Sequence, residues 1–286
     1  MIGFSRFARW SLALILSLTA SQACASELTS SPEERGIVVE NIPEGNVLGK
    51  VGVLPGDVLY SWERLPSPPE NPAPASGDLT SPFDWEWMTV EQAMRGTVRL
   101  TGERQGRPLT WEVPVGLLHT ASVRPILPPD LLAIYERGRA LLEQKRTDDA
   151  MGCWLFLADK FQRSEDSRAA WLFWRLGNSL EQLLPWKEVE PYYEAALALA
   201  RDPRSRSSIL YYMGSFYGGA WRLVEAEECF LADLRLAESR CGKCLVVALS
   251  ELRLGWFAGQ QGQLEAARFY LEQALAIERE LAPRSL

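Results

Sequence analysis

From about residue 131 to residue 282, apolar side chains return at three- and four-residue steps, the period of a helix with one buried face. The last stretch shows this directly: Ala266, Phe269, Tyr270, Ala274, Ile277 and Leu281. The pattern also repeats on a longer scale. Gly138, Gly177, Gly214 and Gly255 are spaced by 39, 37 and 41 residues. Three residues after each glycine stand Leu141, Leu180, Tyr217 and Ala258. Twelve after each stand Ala150, Val189, Ala226 and Ala267; sixteen after stand Trp154, Tyr193, Phe230 and Leu271. A large apolar residue precedes three of the glycines (Leu176, Met213, Leu254), and Arg137 breaks that series. Repeats of this length predict stacked helical hairpins, in which no pair buries its own face alone. The small residues are expected where two antiparallel helices approach most closely. The large residue at plus sixteen is expected to fill the gap toward the next pair.

Residues 35–118 follow a different rhythm. Gly36 to Ile42 and Val58 to Trp62 read as strands bounded by turn residues. Between them, Asn46 to Val51 is expected to form one helical turn ended by Gly52, and Pro55-Gly56-Asp57 a turn. Val98 to Arg104 and Leu109 to Val115 alternate on either side of Gln105-Gly106, as a hairpin does. Thr89 is placed to cap a short helix from Val90 to Arg95. Residues 63–88 carry prolines at 66, 68, 69, 72, 74 and 82 and end Phe83-Asp84-Trp85-Glu86-Trp87-Met88. Two readings of this insertion stay open. Its aromatic end fills a ligand's space on the domain, or it is a long loop whose Trp85 and Trp87 cover the edge of the core. Residues 119–130 show no periodicity and read as a linker, so the chain divides into a small β-domain and a helical array over 131–286.

Residues 1–25 contain no acidic side chain. Arg6 and Arg9 precede an apolar run from Trp10 to Ala20, and Ala23-Cys24-Ala25 supplies small residues for cleavage, the layout of a signal peptide. The expected location is periplasmic or secreted, with residues 26–34 a short leading segment of the mature chain. A lipoprotein anchored through Cys24 is the alternative.

The run GIVVENIPEGNVLGKVGVLPGDVLYSW resembles a bacterial PDZ domain, with Gly36, Gly45, Gly52, Pro55, Gly56 and Asp57 at the motif positions. That resemblance implies a small α+β domain that binds peptides by adding a strand between its own strand and helix. The strand and carboxylate loop that precede this run in the family have no counterpart in residues 26–35, so the domain reads as degenerate. The repeats resemble tetratricopeptide (TPR) repeats: Gly255, Ala267 and Ala274 match the family pattern, as do Gly177, Tyr193 and Ala196, and Gly214, Ala226 and Phe230. Asp233 stands where that family has a small residue. Together the resemblances imply a multidomain chain, α+β followed by all-α: a PDZ-like unit with a Pro-rich insertion, then a TPR-like solenoid.

Carrying the TPR groove onto this chain places Tyr135, Arg139, Trp174, Arg175, Asn178, Tyr211, Tyr212, Ser215, Arg253 and Trp256 on a concave binding face. Aromatic and arginine side chains are the usual makings of an interaction surface. The arginines imply a polypeptide partner that is acidic or carboxylate-ended. The expected role is an exported, non-catalytic scaffold. The alternative is the sensor part, or a shortened relative, of bacterial proteins that carry such repeats ahead of a caspase-like CHAT protease domain, which the ending from Gln273 to Leu286 resembles.

Composition narrows the chemistry. There are 30 Lys+Arg against 37 Asp+Glu, a formal net charge of -7, which argues against a nucleic-acid binder. A single histidine, His119, excludes zinc sites built on several imidazoles and leaves no base-and-nucleophile grouping. No Gly-x-Ser-x-Gly and no phosphate-cradling glycine loop occur. No cofactor or metal is expected. Cys241-Gly242-Lys243-Cys244 falls between helical hairpins, not after a strand, so a local disulfide and two free thiols are the readings left open.

Overall fold

Period-two segments form the strands of the N-terminal part. The computed structural model describes residues 35–116 and 121–283; the expected signal segment with Cys24, the short segment after it, and His119 lie outside the described residues. β1 (Ile37–Asn41) leads through α1 (Val47–Lys50) to β2 (Val58–Arg64). Asn46 caps α1, its side chain accepting from the Leu48 N–H at 2.8 Å. In the Pro-Gly-Asp turn, the Asp57 carboxylate accepts from the Leu54 N–H and from Arg104, so the turn is tied to the far strand of the sheet. β3 (Ala75–Asp78) follows, then α2 (Pro82–Glu91), then the hairpin β4 (Val98–Arg104) and β5 (Arg107–Val113). Gln105 and Gly106, with φ 53° and 75°, form the two-residue turn that a tight hairpin needs.

All strand pairs are antiparallel, in the order β5-β4-β2-β1-β6, with β3 also on β2. β1 covers the start of β2 (Ile37↔Leu59), β3 covers its end (Arg64↔Ala75), and β4 runs along it from Val58↔Glu103 to Arg64↔Val98.

Three elements depart from the sequence reading. β6 (Ser122–Pro125) lies in the segment read as a linker; it pairs with β1 from Ile37↔Pro125 to Asn41↔Ser122. β3 lies in the Pro-rich insertion. The helix expected at Val90 to Arg95 lies earlier, at Pro82–Glu91. Ser81 caps it in a reciprocal box with Asp84, and Pro82 takes a first-turn position that needs no N–H donor. Thr89 therefore sits inside the helix, its hydroxyl donating to the Glu86 carbonyl. The aromatic run becomes a helix with two apolar faces. Trp85 and Met88 are fully buried in the sheet's core, and Phe83, Val90 and Met94 pack with the helical array.

The array consists of α3 (Pro129–Glu143), α4 (Thr147–Arg163), α5 (Arg168–Leu180), α6 (Trp186–Leu199), α7 (Pro203–Gly219), α8 (Leu223–Cys241), α9 (Leu245–Gln260) and α10 (Leu264–Leu281). Successive helices pair as four hairpins, and neighbouring hairpins stack. The spacing by sixteen has a direct steric cause. A β-carbon at Gly177 or Gly214 would stand 2.9 Å from the ring of Tyr193 or Phe230, and one at Gly255 2.7 Å from Leu271. At Gly138 the approach of Trp154 is closer still. The large residue thus seats on the glycine of its own hairpin, where the sequence reading sent it only outward. Two of the rings then also reach the next hairpin: Tyr193 meets Phe216 at 5.1 Å and Phe230 meets Phe257 at 5.5 Å. Sheet and array belong to one compact unit.

These seats set opposite outcomes for one substitution. Gly214→Ala should destabilise the protein by about 1–3 kcal/mol, because Phe230 must shift in a packed core. Gly152→Ala, on α4 with open space around its Cα, should stabilise it by about 0.5–1 kcal/mol through helix propensity alone. Denaturant midpoints of the two variants check the pair.

Candidate functional site

The inner face of the array, lined by α3, α5, α7 and α9, meets the chain's own sheet domain through a series of polar contacts. The Glu40 carboxylate on β1, 1% exposed, lies 3.1 Å from Arg175 and 3.5 Å from Arg139. Asp84 accepts from Arg204 at 2.8 Å, and the Arg204 guanidinium lies over the Trp87 ring at 4.3 Å. The Tyr212 hydroxyl donates to Glu86 at 2.9 Å. Phe83 meets Trp174 edge-on at 5.6 Å.

At the far end of α2, Glu91 accepts from the backbone N–H of Leu245 at 2.7 Å and of Val246 at 3.4 Å. α9 has no side-chain cap of its own, so a carboxylate 154 residues away satisfies its first donors. Arg95 closes on the same carboxylate at 2.6 Å. Arg95 also donates to Asn71, whose amide donates to the Leu281 carbonyl at 2.7 Å. The Pro-rich insertion thereby clasps the end of the last helix.

The ten residues placed on a groove face by sequence have varied fates. Tyr135 is fully buried against Trp154 and Trp171, so it is a core side chain. Trp174 is 4% exposed, between Phe83 and Tyr212. Arg139, Arg175 and Tyr212 are engaged by Glu40 and Glu86 as above. Tyr211 accepts from Arg253 at 2.7 Å, and Ser215 donates to the Tyr211 carbonyl. Asn178 lines a small cavity, and Trp256 is 49% exposed. The sequence reading did not single out Glu40, Asp84, Glu86, Glu91 or Arg204, which make the contacts; acidic residues on an unrecognised helix carry no local signature.

Two cavities flank Glu86. The smaller, about 160 Å³, lies among α2, β6, α5 and α7, with Arg175, Asn178 and Ser122 in its walls. The larger, about 280 Å³, lies among α2 and α7 to α10. It is lined by apolar side chains such as Trp87, Val90 and Leu249 together with Glu86, Asp233 and Arg204. Asp233, 1% exposed, joins three helices: the hydroxyls of Ser207 on α7 and Ser250 on α9 donate to its two oxygens. Burial pushes Asp233 up to about 6 despite those two donors. Burial likewise pushes Glu86 up to about 7, against the pull of the Tyr212 hydroxyl and of Arg175. Glu86 lines both cavities.

Cys241 and Cys244 are joined as a disulfide at the entry to α9. Burial pushes the free Cys229 thiol up to about 12, so it stays protonated and is a poor nucleophile. Among the described residues, no group of three or more His, Cys, Asp or Glu side chains is placed to hold a metal ion.

No family model matches the chain, and no curated protein matches it. Among solved structures it is similar to BtubC (BKLC) from P. vanneervenii at 17% identity and a TM-score of 0.44, over 54% of this chain and 65% of that one. It is similar to MamA at 17% identity and a TM-score of 0.41, over 55% of this chain and 82% of that one. A putative kinesin light chain from Podosopora anserina, with nearly identical TPR-like repeats, is similar at 18% identity and a TM-score of 0.45, over 54% of this chain and 77% of that one.

Two outcomes test the contact between sheet and array. Glu91→Ala removes the acceptor for the first N–H groups of α9 and should cost about 1–3 kcal/mol, whereas Glu91→Gln keeps an acceptor and should cost less. The second concerns pH. The folded pKa values of Glu86 and Asp233 lie above their unfolded values, so folding takes up protons between the two. That contribution to stability is full at low pH and is lost as pH rises through about 6 to 7. Burial pushes Glu251 up to about 7 as well, so between pH 6 and pH 8 the protein should lose on the order of 2 kcal/mol, and Glu86→Gln should remove about half of that slope. Thermal melts across this range check it.

Proposed function

We propose that this protein is a non-catalytic scaffold that binds other polypeptides through its helical repeats, and that its sheet domain holds the inner face of the array as a built-in competitor. One observation carries the reading. The surface that repeat arrays offer to partners is met here by acidic side chains of the same chain, Glu40 on Arg139 and Arg175, Asp84 on Arg204, and Glu91 on α9. A partner that shares this chemistry, an amphipathic segment with carboxylates on one face, would compete for the same seats.

The sheet domain fits a degenerate PDZ-like unit in this scheme. Support for that reading comes from β6 pairing with β1 and from α2 lying across the smaller cavity, as a groove strand and groove helix would. The leader-like residues 1–25 support export, so the partners would be periplasmic or secreted proteins.

The test uses the full chain and a fluorescent peptide of residues 81–95. A variant with Asp84→Ala and Glu91→Ala should bind the peptide at least tenfold more tightly than the wild-type chain, because the internal competitor is weakened. It should also retain polypeptides from a native extract that the wild-type chain does not. Equal, or no, peptide binding by the two proteins would sink the reading.

A further inference from the structure

The larger cavity has a composition that interaction surfaces do not need. Its volume of about 280 Å³ is near the lower end for small-molecule pockets. Apolar walls come from α2 and α9, through Trp87, Val90 and Leu249. Carboxyl groups come from three helices, through Glu86, Asp233 and Glu278. Among the described residues the lining holds one cationic side chain, Arg204, and its guanidinium is already engaged by Asp84 and the Trp87 face. Arg240 draws on Asp233 electrostatically but does not line the cavity. Asp233 is the telling group. It is almost wholly buried, its hydrogen-bond donors are two neutral serine hydroxyls, and a buried carboxylate without a cation is costly.

The geometry points to a binding site for a small organic ammonium ion: a primary or secondary amine whose apolar body packs on Trp87, Val90 and Leu249 and whose charge is met by Asp233 and Glu86. The space exceeds what the stem of a single lysine side chain fills, which favours a free amine over a side chain of a partner. The site is independent of the scaffold reading, since the array keeps its inner face whether or not the cavity takes a ligand.

Calorimetric titration of the full chain at pH 7.5 tests this with 2-phenylethylamine, its neutral isostere 2-phenylethanol, and Nα-acetyl-lysine amide. The amine should bind at least tenfold more tightly than the alcohol. Asp233→Asn, checked for an unchanged circular dichroism spectrum, should weaken the amine about tenfold and leave the alcohol unchanged. Leu249→Trp, which fills the cavity from α9, should abolish both; Glu86→Gln serves as the second charge variant should Asp233→Asn not fold. Absence of amine binding, equal binding of amine and alcohol, or amine binding that survives Leu249→Trp overturns the proposal. Tighter binding of the lysine derivative overturns it in favour of a partner's side chain.

Discussion

A short helix is asked to finish two hydrophobic cores at once. α2 puts Trp85 and Met88 under the sheet and Phe83 against the array, and its acids at 84, 86 and 91 reach three separate points on α7 and α9. Burying the fully enclosed Trp85 alone is worth a few kcal/mol. Neither half is complete without this helix. The sheet would expose its tryptophan-rich face, and α9 would begin with unsatisfied donors. The division of the chain into independent parts therefore gives way to one body with a shared wall.

Charge follows from that wall. An acidic chain places part of its excess where helix donors, tyrosine hydroxyls and arginines can receive it, and some of these groups then lie out of water. The same enclosure that lifts Glu86 and Asp233 above the ordinary carboxylate range leaves space beside them.

The repeats were legible in sequence because their constraint is local. Gly177 and Tyr193 are sixteen residues apart, and a clash decided within one hairpin leaves a fixed spacing on the page. The strands and turns around Asn46, Asp57 and Gln105 were legible for the same reason, since each obeys rules spanning a few residues. α2 was hidden because both of its faces are apolar, which erases the period, and because it opens on Pro82 after a Pro-rich stretch that reads as extended chain. β6 was hidden because four residues ending in Pro125 carry too little alternation to read. The groove positions were read from local spacing, whereas what meets Arg175 is Glu40, 135 positions earlier, and no local rule reaches that far.

The bond from Asn71 to the Leu281 carbonyl joins residues 210 positions apart. Stacks of repeats ordinarily fray from their termini, each unit held only by its neighbour. Here the final coil is moored back to the opening domain, which turns a linear pile into a closed loop. Peeling that coil away means releasing the insertion as well, so the last hairpin should open less readily than one held by its neighbour alone.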